Sequence, residues 1–329
     1  MSKLIFITRA TKESGKGHFF RVSRMIDSLS KCCECVLVVD DKAITSSPTL
    51  KFHPLNINNP TALIDELKLT SNDLIWFDIP DSQYQMIASF TDFNIPLIST
   101  NMFERLEDKK FEHISIYPVF EKYKKKTLEN KKIQISGSDF ISLPEEFFYK
   151  NDEKLPQVIV SMGGTDPMGF TPLVLQSVSN IKYSKYTYKF ILPKGTDKEH
   201  VVKLYGKYPH MEFYEFGSIN FSHVLKISEY AIINGGMTRY ECVAAKTFFI
   251  ALSIHEIQAS LSEKVTRYGL GENFGVFNEK KVKQLSMLLS SLPFTPVNIE
   301  FIEKKPFLRE NGARWIYEQV VRELKNENE

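Results

Sequence analysis

The sequence predicts an α/β protein of two domains, each a parallel sheet wound with helices, and three observations carry this. Short apolar runs such as Leu4-Ile5-Phe6-Ile7 and Cys35-Val36-Leu37-Val38-Val39 lack polar alternation, as expected of strands covered on both faces. They alternate with segments of helical spacing, which calls for right-handed crossovers and places function at the carboxyl ends of the strands. The order strand, glycine loop, helix opens the chain and restarts near residue 157, and 329 residues is two domain lengths at about 150 residues each.

In the first domain, Leu4-Ile5-Phe6-Ile7 leads into Gly15-Lys16-Gly17-His18, after which Phe19, Val22, Met25, Ile26 and Leu29 recur at helical spacing. Glycines let the backbone approach a ligand, and the following helix N-terminus favours an anion, with Arg21 one turn inside it. His18 adds an imidazole, the side chain suited to moving a proton beside a phosphate leaving group. Next come the strand Cys35–Val39, a helix opened by proline over Pro60–Leu69, a strand Asp73–Phe77, a helix Ser82–Phe93 and a strand Pro96–Ser99. Asp78, directly after its strand, either faces a ligand or caps the segment that begins at Asp81. Cys32, Cys33 and Cys35 are too crowded for a sound zinc site and read as flanking the start of a buried strand, with metal binding secondary.

Residues 122–156 mix charge, glycine and proline with weak periodicity and read as the linker. The expected domains are therefore 1–150 and 151–305, with a closing helix within 306–329 that crosses back. The basic run Lys122–Lys132 reads as a solvated helix face, or as a patch for an anionic membrane surface or acidic substrate.

The second domain repeats the layout: strand Gln157–Ser161, glycine turn Met162-Gly163-Gly164-Thr165-Asp166-Pro167, helix Thr171–Ser179, then strands over 188–192, 211–214 and 230–233. The last opens into Asn234-Gly235-Gly236-Met237-Thr238 and a helix carrying Glu241. Glu241 can complete a capping box with Thr238, or accept the vicinal hydroxyls of a ribose whose phosphates rest on the loop. The strand Phe248–Leu252 ends at His255-Glu256-Ile257-Gln258, and a helix over Ala313–Leu324 closes the chain. His53, His113, His200, His210 and His223 read as packing or surface residues.

Composition excludes several classes. Hydrophobic residues are 43% and charged residues 25%, and 42 Lys+Arg against 40 Asp+Glu leave +2, so no general basic field points to nucleic acid. No apolar run approaches the ~20 residues of a membrane span and no leader-like stretch opens the chain, so the expectation is a cytoplasmic protein without membrane insertion. Gly15-Lys16-Gly17 is a poor dinucleotide fingerprint, and no P-loop is present. Three glycine loops at strand ends, in two similar halves, suit a diphosphate held in a cleft between domains.

These residues also carry a resemblance. Arg9, Gly15-Lys16-Gly17-His18 and Arg21 at the opening, Ser136-Gly137-Ser138-Asp139-Phe140 with Leu143 and Phe147, and Val160-Ser161-Met162-Gly163-Gly164-Thr165-Asp166-Pro167 are similar to motifs of the UDP-2,4-diacetamido-2,4,6-trideoxy-sugar hydrolases of pseudaminic acid biosynthesis and the spore-coat polysaccharide proteins like them. Gly235-Gly236-Met237-Thr238 with Glu241 and Gln258 resembles their nucleotide site, and Asn311-Gly312-Ala313-Arg314 their last helix. More remotely the chain resembles GT-B glycosyltransferases that act on lipid-linked muramyl peptide.

The resemblance implies two Rossmann-like domains facing a cleft, a UDP-sugar as substrate and no metal or cofactor. It implies that His18 activates water to attack the anomeric carbon, that the first domain takes the sugar or acceptor, that the C-terminal glycine loops of the second, nucleotide-binding domain hold the diphosphate, and that Glu241 holds the ribose. The rivals are a GT-B glycosyltransferase with a sugar or lipid acceptor and a non-catalytic nucleotide-sugar-binding subunit; NAD(H) binding would point instead to a dehydrogenase. The chain departs from the pattern at Thr11, where an aspartate is common, at Asp78-Ile79-Pro80 in place of Asp-x-Tyr, and at Thr100-Asn101 in place of paired aspartates.

Overall fold

The computed structural model describes residues 3–10, 17–39, 52–53, 59–101, 111–128, 131–149, 153–293 and 308–326. The chain divides into two compact units, Met1–Pro144 with Phe307–Glu329, and Glu145–Pro306.

Unit 1 opens with β1 (Lys3–Thr8), α1 (Gly17–Leu29) and β2 (Glu34–Val39), followed by β3 (Phe52–His53), α2 (Pro60–Leu67), β4 (Leu74–Asp78) and β5 (Leu97–Thr100). It continues through β6 (Ile114–Tyr117), β7 (Lys124–Thr127) and β8 (Ile133–Ser136). The sheet order is β3-β2-β1-β4-β5-β6-β8-β7, parallel but for β7. The apolar strand runs are buried on both faces. Leu4 and Phe6 of β1 face a core that holds α1, while Ile5 and Ile7 face a second with Leu63 of α2 and Ile87. The final helix packs Ala313, Ile316 and Val320 into the α1 core.

Three expectations need correcting here. The segment read as linker, 122–156, does contain the boundary between the units at Pro144 and Glu145, but its first part holds β7 and β8, both strands of the unit 1 sheet. Of the basic run read as a helix face, Lys124–Thr127 is β7, an edge strand whose side chains are all exposed. Lysines on an exposed edge discourage pairing with other chains; Lys125 also reaches Glu323 at 2.5 Å. The segment 82–93, expected as a helix, is a 3-10 helix over Asp81–Phe90.

Unit 2 contains β9 (Leu155–Ser161), α3 (Phe170–Ser179), β10 (Thr187–Leu192), α4 (Lys198–Tyr205), β11 (Met211–Glu215), α5 (Phe221–Ile227) and β12 (Ser228–Asn234). It ends with α6 (Thr238–Ala244), β13 (Phe248–Ser253), α7 (Glu256–Thr266), β14 (Gly271–Val276) and α8 (Val282–Ser290). Helix α9 (Gly312–Asn326) returns the chain to unit 1. The unit 2 sheet is wholly parallel, in the order β11-β10-β9-β12-β13-β14. Lys154 holds the backbone around α6: its ammonium donates to the carbonyls of Ser228 and Ala245 and to Thr247 Oγ1, all within 2.9 Å, and burial lowers its pKa to about 8.

Each sheet thus runs outward from its first strand, then reverses to the other side of it, the doubly wound order. The reversal falls between β1 and β4 in unit 1 and between β9 and β12 in unit 2. At such a point the loops leaving adjacent strands diverge and open a crevice at their carboxyl ends. Among the described residues no helix is long and apolar enough to cross a membrane.

Candidate active site at the strand ends

The switch point of unit 1 is built from charged side chains. Thr8 and Asp78 end neighbouring strands in register, and Thr8 Oγ1 donates to the Asp78 carbonyl at 2.8 Å. Asp78 is therefore fixed as the last residue of β4. His18 and Arg21, one turn apart near the start of α1, both meet its carboxylate. His18 Nδ1 lies 2.7 Å from Asp78 Oδ1, Arg21 Nε donates to Oδ2 at 2.5 Å, and Arg21 Nη2 donates to Oδ1.

This geometry sets the chemistry. Burial pushes the Asp78 carboxyl up, but the Arg21 guanidinium and the hydrogen bonds from His18 and Arg21 outweigh it and hold the pKa below the usual carboxylate range. An ionised Asp78 only accepts, so Nδ1 of His18 carries a proton toward it, and in the neutral imidazole the lone pair is then on Nε2. The His18 side chain is 20% exposed, against 9% for Arg21 and 1% for Asp78. Only the imidazole of the three is open enough to meet a reactant. Asp78 does not cap the following 3-10 helix; Pro80 occupies the cap position, with no side-chain bond.

Gly17 is exposed, and a side chain there would meet nothing within 4 Å among the described residues, so the packing of the unit does not itself demand glycine. Thr11 and Gly15 lie outside the described residues.

Unit 2 meets its switch point with backbone. Gly163 and Gly164 follow β9, and Gly163 has φ +85°, a left-handed conformation that favours glycine. Thr165 beside them is exposed. The expectation that this loop offers a free helix N-terminus needs correcting. Asp166 accepts from the N–H groups of Phe170 at 2.9 Å and Thr171 at 2.7 Å, so the chain's own carboxylate occupies the first turn of α3. What the loop exposes is Gly163-Gly164-Thr165 itself. Asn234 Nδ2 donates to the Met162 carbonyl at 2.9 Å and ties this loop to the next.

The loop after β12 behaves differently. A Cβ on Gly235 would lie 2.6 Å from Ser253 Oγ and 3.2 Å from Gln258 Cβ, so close packing of β12 on β13 and α7 requires glycine there. Helix α6 begins at Thr238 with Met237 in the cap position and no side-chain cap bond. Thr238 is thus a helical residue, and the capping-box role for it fails. Gly236, Met237 and Thr238 are half-buried, and Glu241 is buried at 5% exposure. Gln258 holds the β13–α7 turn, its Oε1 accepting the Ile254 N–H at 2.9 Å, while its side chain flanks Gly235.

Two further residues stand out that the sequence reading did not select. Arg239 is 1% exposed; one guanidinium nitrogen donates to the Gly235 carbonyl, another to the Tyr240 hydroxyl at 3.0 Å, and its Nε has no partner. No carboxylate among the described residues pairs with it, which leaves a buried positive charge directly behind the glycine loop. Phe216, 46% exposed, packs its ring against Gly164. Neither has a sequence signal, because an arginine inside a helix and a phenylalanine in a loop are ordinary until their neighbours are known. His113 is a packing residue whose Nδ1 accepts the Leu97 N–H at 3.0 Å. Among the described residues no cluster of His, Cys, Asp and Glu is arranged to hold a metal ion.

Solved structures with the same double arrangement cover almost the whole chain. The glycotransferase of kitacinnamycin superposes with a TM-score of 0.65 at 11% identity, over 98% of this chain and 99% of its own. MurG of Acinetobacter baumannii gives 0.66 at 10%, over 98% and 100%. The chain has the GT-B fold. UDP-GlcNAc 2-epimerase of Methanocaldococcus jannaschii, solved with UDP-GlcNAc and UDP, gives 0.57 at 13%, over 97% and 99%. No protein-family model and no curated protein matches the sequence.

Proposed function

We propose that the protein cleaves the anomeric C–O bond of a nucleotide sugar, most simply a UDP-linked amino or deoxy sugar, with His18 as the general base. The observation that carries this is the His18–Asp78 contact at the switch point of unit 1. Asp78 accepts a hydrogen bond from the Nδ1–H of His18 at 2.7 Å, leaving Nε2 to receive a proton from the attacking hydroxyl. The oxygen then bonds to the anomeric carbon, the bond from that carbon to the diphosphate breaks, and the leaving diphosphate keeps the electron pair. Arg21 holds Asp78 from its other side and keeps it ionised.

Unit 2 takes the nucleotide in this reading. Gly163, Gly164 and Thr165, with Gly235, Gly236, Met237 and Thr238, hold the diphosphate through backbone. Arg239 supplies a positive field behind them, Glu241 accepts the ribose hydroxyls and the Phe216 ring offers a stacking face to the base. Gln258 positions Gly235 rather than the ligand.

Water as the attacking hydroxyl makes the enzyme a hydrolase, as the motif resemblance implies. The kitacinnamycin glycotransferase among the solved structures favours the second reading, in which a sugar or lipid hydroxyl takes the place of water. Incubation with UDP-sugars alone separates them. Stoichiometric UDP and free sugar without an acceptor support hydrolysis; release only on adding an acceptor supports transfer. Tight donor binding without turnover in either setting leaves a binding subunit and sinks the catalytic reading.

A further inference from the structure

Three of the four cysteines lie together at the amino end of β2, the opposite end of the sheet from His18 and Asp78. Cys33 immediately precedes the strand and Cys35 is its second residue, so alternation along extended chain places their side chains on the same side. Their sulfurs are 3.6 Å apart, in van der Waals contact. Cys32 is exposed and donates to the Leu29 carbonyl at 3.1 Å; Cys33 is half-buried, and Cys35 is 8% exposed.

We propose that Cys33 and Cys35 form a redox-modification site, in which Cys33 is the nucleophile toward peroxide and Cys35 resolves it as an intramolecular disulfide. The pair has the three attributes such a site needs: an accessible sulfur, a second sulfur within reach, and surroundings that favour the thiolate. The hydrogen bond from Cys35 is the chief influence on Cys33; burial opposes it, and bonds from Cys32 and Tyr317 of α9 add to it, bringing the Cys33 thiol down to about 7. The bond to Cys33, with burial, drives Cys35 upward, so it stays protonated beside its partner. Arg314 and Glu318, also on α9, act on the neighbouring Cys32.

The chemistry balances with hydrogen peroxide as the oxidant. The Cys33 thiolate attacks one peroxide oxygen, the O–O bond breaks, and a proton from solvent completes the departing water. The resulting sulfenic acid is attacked by Cys35, the S–O bond breaks and a second water leaves with the Cys35 proton. Two thiols and one peroxide give one disulfide and two waters. Closing the bond draws sulfurs now 3.6 Å apart to about 2.05 Å, a movement within reach of side-chain torsions at the strand entrance. Cys242 is fully buried in unit 2, with its thiol held well above the ordinary range by burial, and takes no part.

The test treats the reduced full-length protein with hydrogen peroxide at neutral pH, alkylates remaining thiols in denaturant and maps the tryptic peptide 32–42, which carries Cys32, Cys33 and Cys35. The expected product has lost two hydrogens and takes one alkyl group, on Cys32. Cys32→Ser should form the disulfide as wild type does, whereas Cys33→Ser and Cys35→Ala should not. Native-state alkylation of Cys33 should reach half its maximum rate near pH 7, and this midpoint should rise in Cys35→Ala, a readout that holds even if that variant is less stable. Three alkylated thiols after peroxide, a disulfide that requires Cys32, or over-oxidation of Cys33 without a disulfide would each overturn the proposal.

Discussion

The two units share the order of six parallel strands, to which unit 1 adds β8 and β7, and furnish the reversal point with opposite materials. In unit 1 three ionisable side chains close on one another, and Asp78, 1% exposed, is bonded on both oxygens. In unit 2 the same topological position carries glycine backbone, with Arg239 buried behind it. Under the proposed function the difference follows from the tasks. A proton acceptor needs one lone pair held in one direction, which a rigid carboxylate–imidazole contact provides. An anion needs close backbone approach and a positive field, which glycine and a hidden guanidinium provide without a side chain in the way. In that reading topology marks where a ligand would sit, and residue type what it would meet there.

The comparison predicts that variants in unit 1 change turnover while variants in unit 2 change nucleotide affinity. His18→Asn should show the largest effect, a fall in kcat of about 10²- to 10⁴-fold with UDP affinity kept. Normal turnover by that variant removes His18 from the chemistry, and a matching loss of UDP affinity in calorimetry would erase the division between units.

Asp78→Asn should cost about 3–5 kcal/mol of unfolding free energy in urea, because it leaves Arg21 facing a neutral group in a buried site. The sign with pH follows from a folded-state pKa held below its unfolded value. The contribution is complete above the ordinary carboxylate pKa of about 3.9 and is lost as pH falls through the lowered folded value. The stability gap between wild type and Asp78→Asn should thus be full at neutral pH and narrow in acid; a gap that widens on acidification contradicts the pairing.

Glu241→Ala should weaken UDP binding by roughly 1–3 kcal/mol through lost charge-assisted hydrogen bonds, with little change in uracil binding. Equal UDP affinities would take Glu241 out of the nucleotide site. The smallest effect is expected for Arg239→Met, about tenfold weaker binding of UDP with uridine unaffected, since the charge acts on the diphosphate through the loop and not by contact. Loss of uridine and UDP binding alike would make Arg239 a packing residue.

Much of this was legible in the sequence. Apolar runs without alternation marked the central strands, because a strand covered on both faces has no polar side to show. His18 and Asp78 were also visible, one after a glycine loop and one at a strand end. β7 was not visible: the side chains of its Lys-Lys-Lys-Thr sequence are all exposed, and an edge strand with no buried side chain leaves no apolar pattern. For the same reason the lengthy polar region around it read as a linker.

By itself, then, the sequence determined the alternation of strands and helices, the glycine loops and the residue types offered at strand ends, since these depend on local periodicity and local backbone freedom. Only the tertiary structure decided how those residues pair. It brought Asp78 to His18 and Arg21 across 60 and 57 positions of chain, while Asp166 turned inward to cap α3. It also hid Arg239 behind Gly235. An aspartate after a strand reads alike in all these settings; its role depends on which N–H groups and cations reach it, and strand register and helix packing set that over distances a local pattern does not span.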